Sequence, residues 1–360
     1  MSAGSKWSTI ASMLTLLVFL GVTPSQAKLK VPFTLKVSYS GAYDDNILRY
    51  SDRDLDRFEN DSEVYPSEVT TTDDWANSFT FRLYKDVKLG KYFRFRPYYN
   101  FKISLYSINE QKNYSSHFFL ARFTYRYRYY LYLQYSVLDD YYLRLYRDRD
   151  SGVYHSCEFD QYKPTVKLRW HFSPFNLEAS YSRELLYYNP HFTEYDNEGD
   201  VWGIEASYEL PIKLQLSAGY FLTVADNVGF DQTGAFIPVD PSEDAEYGDS
   251  SYEEDEFIFN VRYPLPVKKS MQWVLFMNLS QRFRYYQTDL SVLDDPFHAG
   301  REDHRTIIDT GVSFSPSSDL DIELQFTIDQ RRTDSPAETV SSIKDYDRRT
   351  VELIVTYQVF

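Results

Sequence analysis

Basic side chains recur at alternate positions along a run of aromatic-rich stretches: Arg82, Arg94, Arg96, Lys102, Arg122, Arg126, Arg128, Arg144, Lys167 and Arg169. Carboxylates take the same alternate places further along, at Glu178, Glu184, Glu205, Glu209, Asp309, Asp321, Glu323, Asp329 and Glu352. A smaller basic group, Arg262, Arg282 and Arg284, stands between the two acidic ones. An unpaired charge moved into a low-dielectric interior is costly, so these groups require water, counter-ions or one another. Opposed rows of fixed charge across water make a transverse field that orders polar solutes and selects ions. Ion pairs between the two signs, which would stiffen or fill the structure that carries them, are the competing account of the same residues.

Other chemistry finds less support. Tyr84, Tyr98, Tyr130, Tyr132, Tyr142 and Tyr146 share the basic stretches, where aromatic faces beside Arg suit sugar rings, but Arg stacked on Tyr accounts for them equally well. His298 and His304, near Asp294, Asp295, Glu302 and Asp303, form the one candidate for enzyme catalysis. There is no His-x-Ser-Asn arrangement, and Asp and Glu are so frequent in this region that a neighbouring His is expected by chance. No catalytic residue, metal ligand or cofactor is therefore assigned. Carboxylates crowd 44–74 and 226–255, the latter with Asp240, Glu243, Asp244, Glu246, Asp249, Glu253, Glu254 and Asp255. Neither stretch has the fixed spacing and central Gly of an EF-hand. A solvated acidic face is expected, of the kind that divalent ions bridge to lipopolysaccharide phosphates. The single cysteine, Cys157, excludes an internal disulfide and a Cys-rich metal site.

The alternation itself says what must position these charges. From Phe93 to Leu105 every odd residue is apolar or aromatic, while the even ones read Arg94, Arg96, Tyr98, Asn100, Lys102, Ser104. A period of two places one set on each face of a strand. This run exceeds the roughly nine to eleven residues that a tilted strand needs to cross a bilayer. Pro97, which lacks an N–H, is expected to cost one ladder bond and bend the strand locally.

Similar patterning predicts fourteen segments: Phe33–Tyr43, Trp75–Lys85, Tyr92–Tyr106, His117–Val137, Tyr141–Tyr146, Lys163–Phe172, Phe175–Leu186, Val201–Leu210, Lys213–Ala225, Glu256–Tyr263, Met271–Gln287, Arg305–Phe314, Asp319–Arg331 and Arg348–Phe360. Their connections alternate in length. Short ones fall at Asp86–Lys91, Leu138–Asp140, Ser173–Pro174, around Pro211, Pro264–Ser270 and Ser315–Ser318, with long ones between. Short turns at one end and long loops at the other are the pattern of an outer-membrane barrel, and closure removes the exposed edges of an open sheet. The 34 Tyr and 26 Phe in 360 residues far exceed soluble-domain usage, as two aromatic girdles require.

The ends of the chain agree. Lys6, the apolar stretch Met13–Val22 and Pro24-Ser25-Gln26-Ala27 read as a signal peptide, residues 1–27, ahead of a barrel at 28–360. The acidic balance, 53 Asp+Glu against 38 Lys+Arg, argues against a nucleic-acid partner. The last strand, Val351-Glu352-Leu353-Ile354-Val355-Thr356-Tyr357-Gln358-Val359-Phe360, resembles the terminal strand of bacterial outer-membrane barrels, whose final Phe is read by the assembly machinery. The resemblance makes Tyr357 and Phe360 the assembly signal, although Tyr357 lies three residues before the end rather than two. The opening Tyr39-Ser40-Gly41-Ala42-Tyr43-Asp44-Asp45-Asn46-Ile47 is similar to the start of barrels found with exopolysaccharide and lipoprotein export systems.

The expected fold is thus all-β, a closed antiparallel transmembrane barrel of about fourteen strands in the bacterial outer membrane. The expected function is a porin-like channel for small polar or charged solutes, without enzymatic chemistry, in contact with outer-membrane lipid and lipopolysaccharide. Arg82 to Arg169 would form a basic wall facing acidic ones made by Glu178, Glu205, Glu209, Asp309, Asp321, Glu323 and Asp329. An export or assembly barrel with periplasmic partners, or a closed structural or adhesive barrel, are the alternatives.

Overall fold

A computed structural model describes residues 33–60, 68–148, 150–233, 247–266 and 271–360. The expected signal peptide, residues 1–27, lies outside these, as do Asp240, Glu243, Asp244 and Glu246.

Fourteen long strands follow in chain order: β1 Thr34–Asp44, β2 Asp74–Tyr84, β3 Phe93–Tyr106, β4 Tyr114–Tyr125, β5 Tyr129–Arg147, β6 Tyr154–Phe172, β7 Phe175–Tyr188, β8 Asn197–Glu209, β9 Gln215–Asp226, β10 Tyr252–Pro264, β11 Gln272–Tyr286, β12 Glu302–Ser315, β13 Leu320–Asp334 and β14 Tyr346–Gln358. Each pairs antiparallel with the next, and β1 pairs β14 from Lys36 opposite Gln358 to Asp44 opposite Thr350, which closes the sheet. Closure satisfies backbone N–H and C=O groups that an open edge would leave without partners in lipid.

Register divides each strand into two faces, as the alternation requires. Arg82 lies opposite Asn100, Arg96 opposite Arg122, Lys167 opposite Ser180 and Asp329 opposite Arg348, all on the inner face. The other face carries Phe81, Phe93, Phe119, Leu133, Leu168, Ile204, Phe259, Leu275 and Leu353, all exposed. Aromatic pairs collect where the short turns are, including Phe93 with Tyr125 (ring centroids 4.8 Å), Phe175 with Tyr208 (4.7 Å) and Trp273 with Phe314 (4.4 Å). A second band nearer the long loops includes Tyr181 with Trp202 at 6.0 Å and Tyr220 with Phe257 at 5.3 Å.

Pro97 interrupts a ladder as its missing N–H demands. β2 pairs β3 as far as Tyr84 opposite Tyr98, and pairing resumes in the same register only at Val87–Lys88, opposite Phe95 and Arg94.

Two connections differ from the sequence expectation, and β6 begins at Tyr154, nine residues before the expected Lys163. The segment His117–Val137 is really two strands, β4 and β5, joined by a tight turn at 126–128. Arg126 and Tyr127 both adopt left-handed backbone, with φ of 51° and 54°, and Arg128 N–H donates to Tyr125 O at 3.1 Å. This turn contains no Gly, Asn, Asp or Pro, so its chemistry is silent in the sequence. Conversely, Leu138–Asp140 is no turn. It is a bulge inside the 19-residue strand β5, where the register against β6 shifts and Asp140 takes a φ of 48°. The two differences cancel, so the strand number stands.

The long connections fold over and into one mouth of the barrel. The β1–β2 loop carries helix α1, Asp52–Asn60. Its Ile47, Leu48, Tyr50 and Val69 are buried against Tyr142 of β5, with Leu55, Phe58 and Tyr106 packed around them. A six-residue helix α2, Val228–Thr233, follows β9, and α3, Glu338–Lys344, bridges β13 and β14.

Candidate functional site

The inner face is mainly polar, with Phe118, Leu120, Phe221 and Phe276 among its apolar members, and the loop-bearing and turn-bearing halves treat their charges differently. Near the loops the charges are paired. Arg305 Nε and Nη2 donate to the two oxygens of Asp329 at 2.8 and 2.7 Å, and Tyr346 Oη adds a third contact at 3.2 Å. Arg348 makes a forked pair with Asp44 across the β1–β14 seam. Arg284 meets Glu254 at 2.8 Å and Arg282 meets Glu256 at 2.9 Å. The loop residue Arg49 reaches Asp329 at 3.4 Å, so the same cluster ties the β1–β2 loop to the wall.

Lys112, in the β3–β4 loop, sits deeper still. Its Nζ donates to Tyr142 O at 2.7 Å and lies over the Tyr141 ring at 4.8 Å. Burial, reinforced by the nearby Arg49 and Arg348 charges, pulls its ammonium down to about 7.

Toward the short turns a cavity of ≈ 430 Å³ opens inside the barrel, lined by Asn176, Glu205, Ser207, Glu209, Ser217, Asn260, Arg262, Asn278, Glu323 and Gln325 among others. Glu205, Glu209 and Glu323 form no ion pair among the described residues, and Arg262 is their basic neighbour. A second cavity of ≈ 390 Å³ lies nearer the loops, bounded by Glu184, Tyr252, Arg284, His298, Arg301 and Arg331 among others.

A closed sheet with an apolar, aromatic-banded exterior and a charged interior has one stable setting, a lipid bilayer. The chain is a β-barrel of the bacterial outer membrane. Outer-membrane barrels place short turns at the periplasm and long loops outside, and among the described residues no helix of this chain is long and apolar enough to cross a membrane.

The barrel's charged residues can now be placed one by one. Arg82, Arg94, Arg96, Lys102, Arg122, Lys167 and Arg169 all occupy inward register positions. Arg126 and Arg128 do not: they sit in the β4–β5 turn, and Arg126 lies over the Tyr92 and Tyr125 rings at 4.9 and 5.2 Å. Arg144 is inside but belongs to the loop plug, with Nη1 3.4 Å from Asp54 and Nη2 donating to Leu48 O at 3.1 Å.

The basic wall is also less free than its sequence suggests. Glu178 of β7 bonds both Lys167, at 3.2 Å, and Arg169, at 2.7 Å, so a residue expected in an acidic wall neutralises the edge of the basic one. Arg96 pairs with Asp86 in the β2–β3 turn, and this hydrogen bond, opposed by partial burial, holds the Asp86 carboxyl below its ordinary value. Arg82, Arg94 and Lys102 form no ion pair among the described residues. Arg94 instead stacks on Tyr127 at 4.4 Å, and Lys102 lies 5.9 Å from the Tyr114 ring.

On the acidic side, Glu178, Glu205, Glu209, Asp309, Asp321, Glu323 and Asp329 all point inward by register. Asp309 accepts from Thr327 Oγ1 at 2.6 Å, Asp321 from Ser315 Oγ at 2.5 Å, and Asp329 is buried in its arginine cluster. Of the expected assembly signal, Tyr357 lies on the outer face of β14 opposite Leu320 and Val37, and Phe360 follows that strand.

The histidine candidate divides. His298 is buried, with Nδ1 2.9 Å from Asp295 Oδ1, but Asp295 also accepts from Asp249 N–H and His298 N–H, which makes it an organiser of the loop backbone. His304 is an exposed outer-face residue of β12 beside Phe283. The two do not converge on one site. Sequence reading missed the Glu254–Arg284 and Glu256–Arg282 pairs, because Glu254 was read as loop and β10 starts earlier, at Tyr252. It also missed a grouping of Asp148, His155 and His191 at the loop-bearing rim, because His191 comes from a different connection.

No protein-family model and no curated protein matches the chain. Among solved structures it is similar to the outer membrane channel DcaP of Acinetobacter baumannii, with 12% identity over 93% of this chain and 100% of that one and a TM-score of 0.44. It is similar to the anion-selective porin from Comamonas acidovorans, with 9% identity over 91% and 98% of the two chains and a TM-score of 0.41. A bacterial polysaccharide outer membrane secretin gives 10% identity, 91% and 99% coverage and a TM-score of 0.41. Likeness of this order transfers neither function nor residue roles to this chain.

Proposed function

We propose that the barrel is a diffusion channel for small polar or charged solutes, narrowed at its outer mouth by the β1–β2 loop. The observation that carries this reading is the ≈ 430 Å³ inner cavity, whose walls combine amides, hydroxyls and the carboxylates of Glu205, Glu209 and Glu323. Ionised groups without ion-pair partners require water around them, and a fourteen-stranded cylinder is wider than an eight-stranded one, which side chains just fill. Arg82, Arg94 and Lys102 supply the opposing basic strip. Solutes would diffuse past both strips without covalent chemistry.

Planar-bilayer recording of the refolded protein tests this. Stable conductance steps with charge selectivity are expected, and silence across repeated insertions overturns the channel. A closed structural barrel is the second reading, favoured by the buried loop cluster of Ile47, Leu48, Tyr50 and Val69 on Tyr142. Removing residues 47–70 separates the two: a channel gains conductance, and a barrel closed along its length stays silent. In either reading the proposed partners are outer-membrane lipid and lipopolysaccharide around the exterior, the assembly machinery at β14, and small polar solutes in the lumen.

A further inference from the structure

Three side chains from two neighbouring connections converge at the loop-bearing rim, away from the lumen charges. Asp148 follows β5, His155 is the second residue of β6, and His191 lies in the β7–β8 loop. One potential ligand atom from each lies within 4.8 Å of the other two, and this is the one such grouping among the described residues. The His155 and His191 rings stack with centroids 3.7 Å apart and planes 6° from parallel. His191 Nδ1 stands 3.5 Å from Asp148 Oδ2.

The chemistry of this set is specific. A neutral imidazole brings a ring-nitrogen lone pair to a metal ion, and two such rings stand side by side here. Asp148 is buried and its carboxylate is oriented from behind: Ser151 Oγ donates to Oδ2 at 2.7 Å and Asp150 N–H to Oδ1 at 3.0 Å. Outer-shell hydrogen bonds of this kind fix a metal-binding carboxylate in place. His191 is exposed and His155 half-buried, so the cluster opens to the outside. Two nitrogens and one oxygen suit a borderline ion such as Zn²⁺, whereas Ca²⁺ and Mg²⁺ take oxygen ligands.

We propose that Asp148, His155 and His191 bind a divalent transition ion of the zinc class at the outer rim, with a fourth position open to water. The ion clips the β5–β6 loop to the β7–β8 loop. Its position explains why a strand histidine and a loop histidine meet beside one carboxylate at a solvent-facing edge, where a stacked pair buries little area by itself.

The test uses the untagged, refolded full chain in detergent, with Co²⁺ as an optical probe and Zn²⁺ as its competitor. Visible absorption of low-coordinate Co²⁺ at one equivalent, displaced by Zn²⁺, is expected. His155→Ala and His191→Ala should each weaken binding by about 10-fold or more, and Asp148→Asn by a comparable factor, since even outer-shell losses cost on the order of 10–100-fold. His304→Ala should leave the signal intact. Heat-modifiable migration on SDS gels verifies that each variant is folded. Absence of Co²⁺ and Zn²⁺ binding by the parent chain overturns the proposal and leaves the stack as a structural contact. Binding that survives in the folded His155→Ala/His191→Ala double variant also overturns it, and assigns the ion to the acidic loops.

Discussion

Arg144 on the barrel wall holds Asp54 of helix α1 at 3.4 Å, and the same guanidinium donates to the carbonyl of Leu48 at 3.1 Å. A strand residue thereby fixes the long β1–β2 loop inside the mouth of its own barrel. Both side chains are largely shielded from solvent, 15% and 3% exposed, so the pair is an anchor rather than a surface contact.

Arg144→Ala should therefore loosen the plug. Removing one partner of a buried pair costs about 3–5 kcal/mol, because the other charge is left behind. In single-channel records the variant is expected to show larger or more frequent openings than the parent chain, and Asp54→Asn should move in the same direction. Unchanged records from both folded variants would show that this loop does not limit conduction.

Charge selectivity should depend on which carboxylates lack ion-pair partners. Glu205→Gln, Glu209→Gln and Glu323→Gln, combined, are expected to shift the zero-current potential in a salt gradient toward anion preference. Arg82→Gln with Arg94→Gln should shift it toward cations. Lys167→Gln should change little, since Glu178 keeps Arg169 as its partner at 2.7 Å.

Lys112 links the plug to pH. Its folded-state value of about 7 lies below that of an unfolded-chain lysine, roughly 10.4, so between the two the unfolded state binds more protons. Stability should rise with pH across that window, and the charged lysine should be a burden on the fold below it. Arg49, Arg144 and Arg348 add to the burden and Asp44 offsets part of it. The unfolding midpoint of the refolded barrel, followed by heat-modifiable migration, should be higher at pH 9 than at pH 6. Lys112→Met should remove most of that rise.

Close backbone approach gives a fourth expectation. A Cβ at Gly311 would collide with the carbonyl oxygen of Leu324 on the adjacent strand and with the Phe276 ring at 2.6 Å. The backbone cannot yield as a side chain would, so Gly311→Ala should destabilise the barrel by about 1–3 kcal/mol. Urea unfolding midpoints in detergent would register it. Gly199→Ala, whose nearest neighbour is the Ala225 methyl at 3.4 Å, should be far milder.

Much of the architecture was legible because it is local. The alternation of Phe93, Phe95, Tyr99 and Phe101 with Arg94, Arg96 and Lys102 names both faces of β3, and the same arithmetic placed Glu205, Glu209, Asp321 and Glu323 inward. The β4–β5 turn was not legible. Arg126 and Tyr127 hold left-handed backbone without a residue type that announces it, while Leu138-Asp139-Asp140 has turn-like composition but lies in a bulge. Composition reports intrinsic preference, and the surrounding ladder overrode it in both places.

The sequence by itself determined that the chain is a barrel and, within each strand, which side chains face lipid and which face inward, because a period of two needs no knowledge of neighbours; its count of crossings held only because the missed turn at 126–128 and the supposed turn at 138–140 offset each other. Only the tertiary structure decided which inward charges are spent on one another. Glu178 with Lys167 and Arg169, Asp329 with Arg305, and Asp54 with Arg144 depend on inter-strand register and on loops folding back into the mouth. Asp148, His155 and His191 meet for the same reason. Register within hairpins sets the first two groups, loop folding carries Asp54 to Arg144 across 90 residues of chain, and closure of the seam brings Arg348 to Asp44.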